Sequence, residues 1–163
     1  PTWLSLGSSG QRLESSGGVP TWVAQGSTNN WSLSHNATQS FTSGVWTALN
    51  FNVENSDPDN VHSTVANSSR VIIPTSGVYE LSAFAQFQPS TFTKFIRIAE
   101  GTTELISAGG AQPDPIDDLR LFVTFQRTFA TSGSTITIEA FVRAVSTLVG
   151  GAGAIAFWGN RLS

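Results

Sequence analysis

The residues able to do acid–base or metal chemistry in this chain are few, and their spacing suits that chemistry poorly. The histidines are His35 and His62. Neither belongs to a His-Glu-x-x-His array, whose spacing would put two imidazoles on one helix face around zinc. No Gly-x-Ser-x-Gly elbow presents a nucleophilic serine. The absence of cysteine removes thiolates, disulfides and Cys-based zinc sites. Gly150-Gly151-Ala152-Gly153 lacks the lysine and the flanking strand and helix of a phosphate cradle, and reads as a turn before the final strand. Glycoside hydrolysis needs two carboxylates facing each other across a cleft. Asp117 and Asp118 are adjacent and point apart in an extended chain, and Glu139 has no identifiable partner. These absences predict a protein that is not an enzyme.

Two acidic loops remain. Asp57-Pro58-Asp59-Asn60-Val61-His62 gathers hard oxygen ligands of the kind calcium takes, but without calcium-loop spacing. A turn in which Asp and Asn bond their own backbone accounts for it better. Asp57 and Asp59 stay as alternative calcium ligands, and no other cofactor is expected. Asp114, Asp117 and Asp118 form a second loop of the same kind. Asn30, Asn36 and Asn67 open glycosylation sequons, which matter only in a eukaryotic secretory setting.

The elements that would position such loops are strands. The chain has 163 residues, enough for one domain plus a short extension. Charged residues are only 12% of it, so Ser, Thr, Asn and Gln must build most of the surface. The net charge is −3 and the Lys and Arg residues are scattered, which argues against a nucleic-acid partner. No apolar run is long enough to insert in a membrane as a helix, and no signal segment is visible. A chain opening at Pro1 with no Met anywhere is expected to be a fragment or a processed product.

Pro1-Thr2-Trp3 recurs as Pro20-Thr21-Trp22. The residues between are rich in Gly and Ser and too sparsely apolar for a core of their own. Residues 1–36 are therefore expected to be extended, either as a flexible linker or as a neck in which chains wrap together, with Trp3 and Trp22 as anchors. Residues 37–163 change texture, alternating short apolar runs with turn clusters. Strands are predicted at 40–42, 47–53, 70–73, 77–88, 94–100, 104–108, 119–130, 135–145 and 154–161, with Gly109-Gly110 as a turn between two of them. No segment keeps helical periodicity for three turns.

Period-2 alternation is clear in three long strands. Tyr79, Leu81, Ala83, Ala85 and Phe87 share one face; so do Leu119, Leu121, Val123, Phe125 and Phe129, and Ile136, Ile138, Ala140, Val142 and Ala144. These faces should line a core between two sheets. Each opposite face is polar with one large aromatic: Phe84, Phe122 and Phe141. One exposed Phe needs no explanation, but three suggest a shared patch on one sheet, buried against neighbouring copies. Tyr79 is counted with this interface set. The alternative is a twist that returns these rings to the edge of the domain's own core.

The stretch Phe41-Thr42-Ser43-Gly44-Val45-Trp46-Thr47-Ala48-Leu49-Asn50-Phe51-Asn52 leads to Arg70-Val71-Ile72-Ile73-Pro74-Thr75-Ser76-Gly77-Val78-Tyr79, where Pro-x-x-Gly-Val-Tyr opens a long strand. Phe157-Trp158-Gly159-Asn160-Arg161-Leu162 closes the domain. From Ser40 to Ser163 this order resembles the complement-type, tumour-necrosis-factor-like jelly roll, especially versions in bacteriophage fibres and capsid appendages. The N-terminal Gly-x-x-Gly-Gln-x-Leu and Pro-Thr-Trp pieces look like short repeats of phage tail and fibre proteins. The resemblance implies an all-β, two-sheet antiparallel jelly-roll sandwich. It further implies a homotrimer with an aromatic interface near the threefold axis, carried on the surface of a virion beside other structural proteins.

Within that setting the leading expectation is a fibre domain that attaches to a host-surface receptor, with a glycan as the ligand class and Phe92, Asp114 and Asp117 as contacts. Aromatic faces stack on sugars while carboxylates bond hydroxyls. The alternative is a purely structural decoration or head-fibre protein held to the particle by its N-terminal segment. A depolymerase is the third and least supported possibility.

Overall fold

The structure is a computed structural model. It describes residues 8, 11–16, 18–24, 29–111, 117–144, 146–147 and 154–162. Among them there is no helix. The strands are β1 (Gln11–Ser16), β2 (Val19–Ala24), β3 (Asn30–His35), β4 (Ser40–Phe41) and β5 (Thr47–Ala48). β6 (Val53–Ser56), β7 (Arg70–Ile72), β8 (Gly77–Phe87), β9 (Lys94–Glu100) and β10 (Thr103–Gly110) follow. β11 (Leu119–Phe129), β12 (Thr135–Val142), β13 (Ser146–Thr147) and β14 (Ile155–Arg161) complete the order.

Two five-stranded antiparallel sheets form the body. One runs β11-β8-β14-β3-β6; the other runs β10-β9-β12-β5, with β7 also paired to β12. β4 pairs with β13, and β1 with β2. The alternation read from sequence is what holds the sheets face to face. Leu81, Ala83, Ala85 and Phe87 of β8 are buried, as are Ile96 and Ile98 of β9 and Ile136, Ile138, Ala140 and Val142 of β12. Each large side chain so buried contributes roughly 1.5–3 kcal/mol. The alanines of β8 leave room for rings, and Phe51 and Phe157 meet with centroids 5.9 Å apart.

Four expectations are corrected here. The jelly roll begins before residue 37: β3 pairs with β14 along its length and buries Trp31 and Leu33. Asn-Trp-Ser-Leu-Ser-His alternates as a half-buried strand should, and its Ser and Asn disguise it as linker. The preceding segment is not simply extended either, because β1 and β2 fold back on each other as an antiparallel hairpin around Gly18, whose φ is 81°.

The strand expected at 47–53 is broken. β5 belongs to one sheet and β6 to the other. The chain crosses between them with Leu49 and Phe51 turned into the core. Its amides are satisfied on the way: Leu49 N donates to Ile138 O (2.8 Å), Phe51 N to Ser68 O (2.7 Å) and Asn52 N to Ser34 O (3.1 Å). Buried amides need such partners, and here they come from three separate segments.

Gly109-Gly110 is strand, not turn. Gly109 lies opposite Phe95, and a Cβ on it would stand 2.1 Å from that ring's Cδ1. The glycine is the floor on which the Phe95 ring lies.

Candidate binding surface

The outer face of the β11-β8-β14 sheet carries an aromatic patch. β8 lies between the other two strands, with Phe84 opposite both Phe122 and Ala156, and Ser82 opposite both Thr124 and Trp158. Residues on one face of adjacent strands touch. The rings of Phe122 and Trp158 close over β8 with centroids 5.9 Å apart. Phe122 is 51% and Trp158 37% exposed, while Phe84 is half-buried between their strands. Ser82 and Thr124 share a hydroxyl hydrogen bond of 2.7 Å next to the rings. Trp158 was not among the expected interface residues, although Ile155, Phe157 and Gly159 point inward and so send Ala156, Trp158 and Asn160 outward.

Phe141 does not join this patch. It lies on β12 in the opposite sheet, so the three-ring set is split. Phe141 instead packs against Trp46 (5.4 Å) and Phe95 (6.1 Å). The Arg97 guanidinium lies 4.2 Å from the Trp46 ring centroid and its Nε donates to Glu139 Oε2 at 2.6 Å. This second aromatic cluster is consolidated by its own ion pair.

Tyr79 is no interface residue. Its ring is wholly buried between Trp31 and Phe129. Its hydroxyl donates to Thr75 O at 3.0 Å, which satisfies the one polar atom that burial would strand. Alternation alone places it inward.

Phe92, half-exposed at 51%, and Asp117 stand on the surface as loop contacts would. Asp114 and Trp3 lie outside the described residues. Trp22 sits half-buried on β2. Asp57 acts as the turn reading expects. Its two carboxylate oxygens accept from the backbone amides of Val61 (2.9 Å) and His62 (3.0 Å). No group of three acidic or imidazole side chains able to hold a metal occurs among the described residues.

Two buried histidines have opposite surroundings. His62 Nδ1 lies 3.0 Å from Glu54 Oε1, and its Nε2 lies 3.0 Å from Ser68 O. This ring ties β6 to the loop before β7. His35, at the end of β3, is 8% exposed and finds no hydrogen-bond partner for either ring nitrogen. Burial pushes its imidazole below its ordinary value of 6.5. Lys94 is also buried, and its ammonium donates to Gln88 O (3.1 Å) and Ser90 O (3.4 Å). Burial lowers its pKa, and the nearby Asp118 charge opposes that shift.

Two packed sheets in this strand order define a jelly roll of the complement and tumour-necrosis-factor type. The globular domain of zebrafish complement 1qA protein is similar, with a TM-score of 0.63 and 18% identity over 84% of this chain and 98% of that one. Murine APRIL superposes with a TM-score of 0.64 at 14% identity, covering 82% of this chain and 98% of that one. Eiger TNF from S. frugiperda does so with a TM-score of 0.60 at 10% identity, covering 82% and 92%. At these identities the likeness is one of fold. No family model matches the sequence, and no curated protein matches it.

Proposed function

We propose that the chain is a trimeric binding module on the surface of a virus particle, a fibre or head appendage that attaches to a host-surface glycan receptor without catalysis. The observation that carries the trimer is the Phe122–Trp158 ring pair on an open sheet face. Exposed apolar rings of this kind, framed by polar side chains, mark surfaces that bury against another chain. Arg120, Thr124 and Gln126 on β11 and Asn160 on β14 frame them. Phe92 and Asp117 supply loop contacts for a sugar. The virion setting rests on the repeated Pro-Thr-Trp and the weakly charged surface. The non-enzymatic reading rests on the missing catalytic constellations.

Light scattering tests the trimer directly. Three times the 17.3 kDa chain mass is expected, and a monomer at micromolar concentration would overturn it. Retention on a host-polysaccharide or glycan array tests attachment, and release of reducing ends from the same polysaccharides would establish an enzyme instead.

The β1–β2 hairpin favours a second reading, a purely structural decoration protein. It exposes Leu13 and Val19 beside the half-buried Trp22, as a segment docking on another virion protein would. Electron microscopy of labelled particles separates the two, because a receptor-binding tip lies at a free end and a decoration lies on the shell.

A further inference from the structure

A pocket of about 230 Å³ opens where the loop between β6 and β7 runs into β7. Its wall includes Val61, Ala66 and Ile72, and its polar residues include Asn60, Ser63, Asn67 and Arg70. Alternation on β7 creates this division. Val71 enters the core, which leaves Arg70 and Ile72 on the outer side of the strand.

Arg70 stands apart from the arginines that are engaged elsewhere. Arg97 is held by Glu139, Arg127 by Glu100, and Arg161 by Ser76 O. The half-buried side chain of Arg70 has no hydrogen bond or ion pair with any described residue; only its backbone amide is engaged, donating to Asn67 O at 3.2 Å. The acids nearby are already committed. Glu54 faces His62, both oxygens of Asp57 accept backbone amides, and Asp59 is engaged as well. Asn60 and Asn67 stand at φ 51° and 64°, and both are exposed with side-chain amides that bond no described residue. His62, fixed on both ring nitrogens, makes a rigid back wall.

We infer that this pocket binds one carboxylate-bearing sugar unit, a uronic or sialic acid residue of a surface glycan. A guanidinium with no internal partner matches a planar carboxylate through two parallel hydrogen bonds. The two amides are placed at the rim to bond ring hydroxyls, and Val61, Ala66 and Ile72 offer an apolar wall to the C–H face of the ring. The volume falls below the ~300–1,000 Å³ of pockets that hold drug-sized ligands, and suits a single pyranose. The inference rests on the reading of the chain as a glycan-binding module, but not on its trimerisation, because every residue of the pocket comes from one chain.

The test is an amide-resolved NMR titration of the whole chain with methyl glucuronoside, methyl sialoside, methyl glucoside, acetate and inorganic phosphate. At least one acidic glycoside should shift amides within residues 60–72 and bind at least tenfold more tightly than the neutral glucoside or acetate. Arg70→Gln should remove that preference, and Arg70→Lys should keep the charge but weaken binding severalfold, with both spectra unchanged outside the loop. Equal binding of the glucoside, equal binding of acetate, tighter binding of phosphate, or shifts confined to other loops would each overturn the inference. A chain retained on a glycan array while amides 60–72 stay still would sink the pocket and spare the glycan-binding reading. Loss of both signals would sink both.

Discussion

The indole of Trp158 and the ring of Phe122 meet 5.9 Å apart although their strands, β14 and β11, never pair. Strand β8 runs between them, and the small side chain of Ser82 lets the two rings close over it. Replacing either ring removes apolar area from an exposed face and leaves the core alone. Phe122→Glu is therefore expected to reduce the proposed trimer to the mass of one chain by light scattering while the far-ultraviolet circular dichroism stays unchanged. Phe141→Glu, on the opposite sheet, should leave the assembly mass intact.

Two glycines each carry a ring on their bare backbone, and they should not respond alike to an added methyl. A Cβ on Gly159 would stand 2.1 Å from Cζ2 of Trp31, which is buried and cannot swing away. Phe95 over Gly109 is only half-buried. Gly159→Ala should cost about 3 kcal/mol of unfolding free energy, in the upper range for overpacking, and Gly109→Ala about 1 kcal/mol. Urea denaturation measures both, and an equal loss would refute the difference in ring freedom.

Arg97 lies against Trp46 and bonds Glu139, and both charged side chains are largely covered. A charge-assisted hydrogen bond and a cation–π contact together are worth about 2–3 kcal/mol at such a site. Arg97→Ala is expected to destabilise the fold by that amount and to shift Trp46 emission, while Glu139→Gln, which keeps an acceptor, should cost less.

Protonation of His35 provides a pH test. Burial lowers its folded pKa beneath the ordinary 6.5, so the unfolded chain takes up the proton first as pH falls. Its contribution is intact above pH 6.5 and is lost progressively below it, until the folded form also protonates. The slope cannot exceed about 1.4 kcal/mol per pH unit for one proton. His35→Gln should flatten the fall in melting temperature between pH 6.5 and pH 5, and an unchanged profile would assign that fall to other groups.

Strand faces were legible in the sequence, whereas sheet membership was not. Phe84, Phe122 and Phe141 all point outward as alternation says, since side-chain direction is set locally with period 2. Which sheet a strand joins depends on pairings between residues far apart in the chain, and nothing around Phe141 reports that β12 pairs with β9. The break at Leu49 was hidden for the same reason, because its amide partner is Ile138. Gly109-Gly110 misled in a different way. A glycine pair carries the same local signal whether it frees the backbone for a turn or clears space beneath a ring. The Arg70 pocket left only a faint trace, an Arg two residues before an exposed Ile, and no spacing rule would have singled it out.

Strand β14 sits in the middle of its sheet, between β8 and β3, yet among the described residues it comes after every other strand. Until those residues are synthesised, β8 and β3 each present an open hydrogen-bonding edge, and the indole of Trp158 is missing from the aromatic face. Pairings of such long sequence separation form late. A chain stopped short of residue 155 therefore lacks both the keystone of its sheet and half of the ring pair. Such a product keeps two unpaired strand edges, which expose it to aggregation and proteolysis.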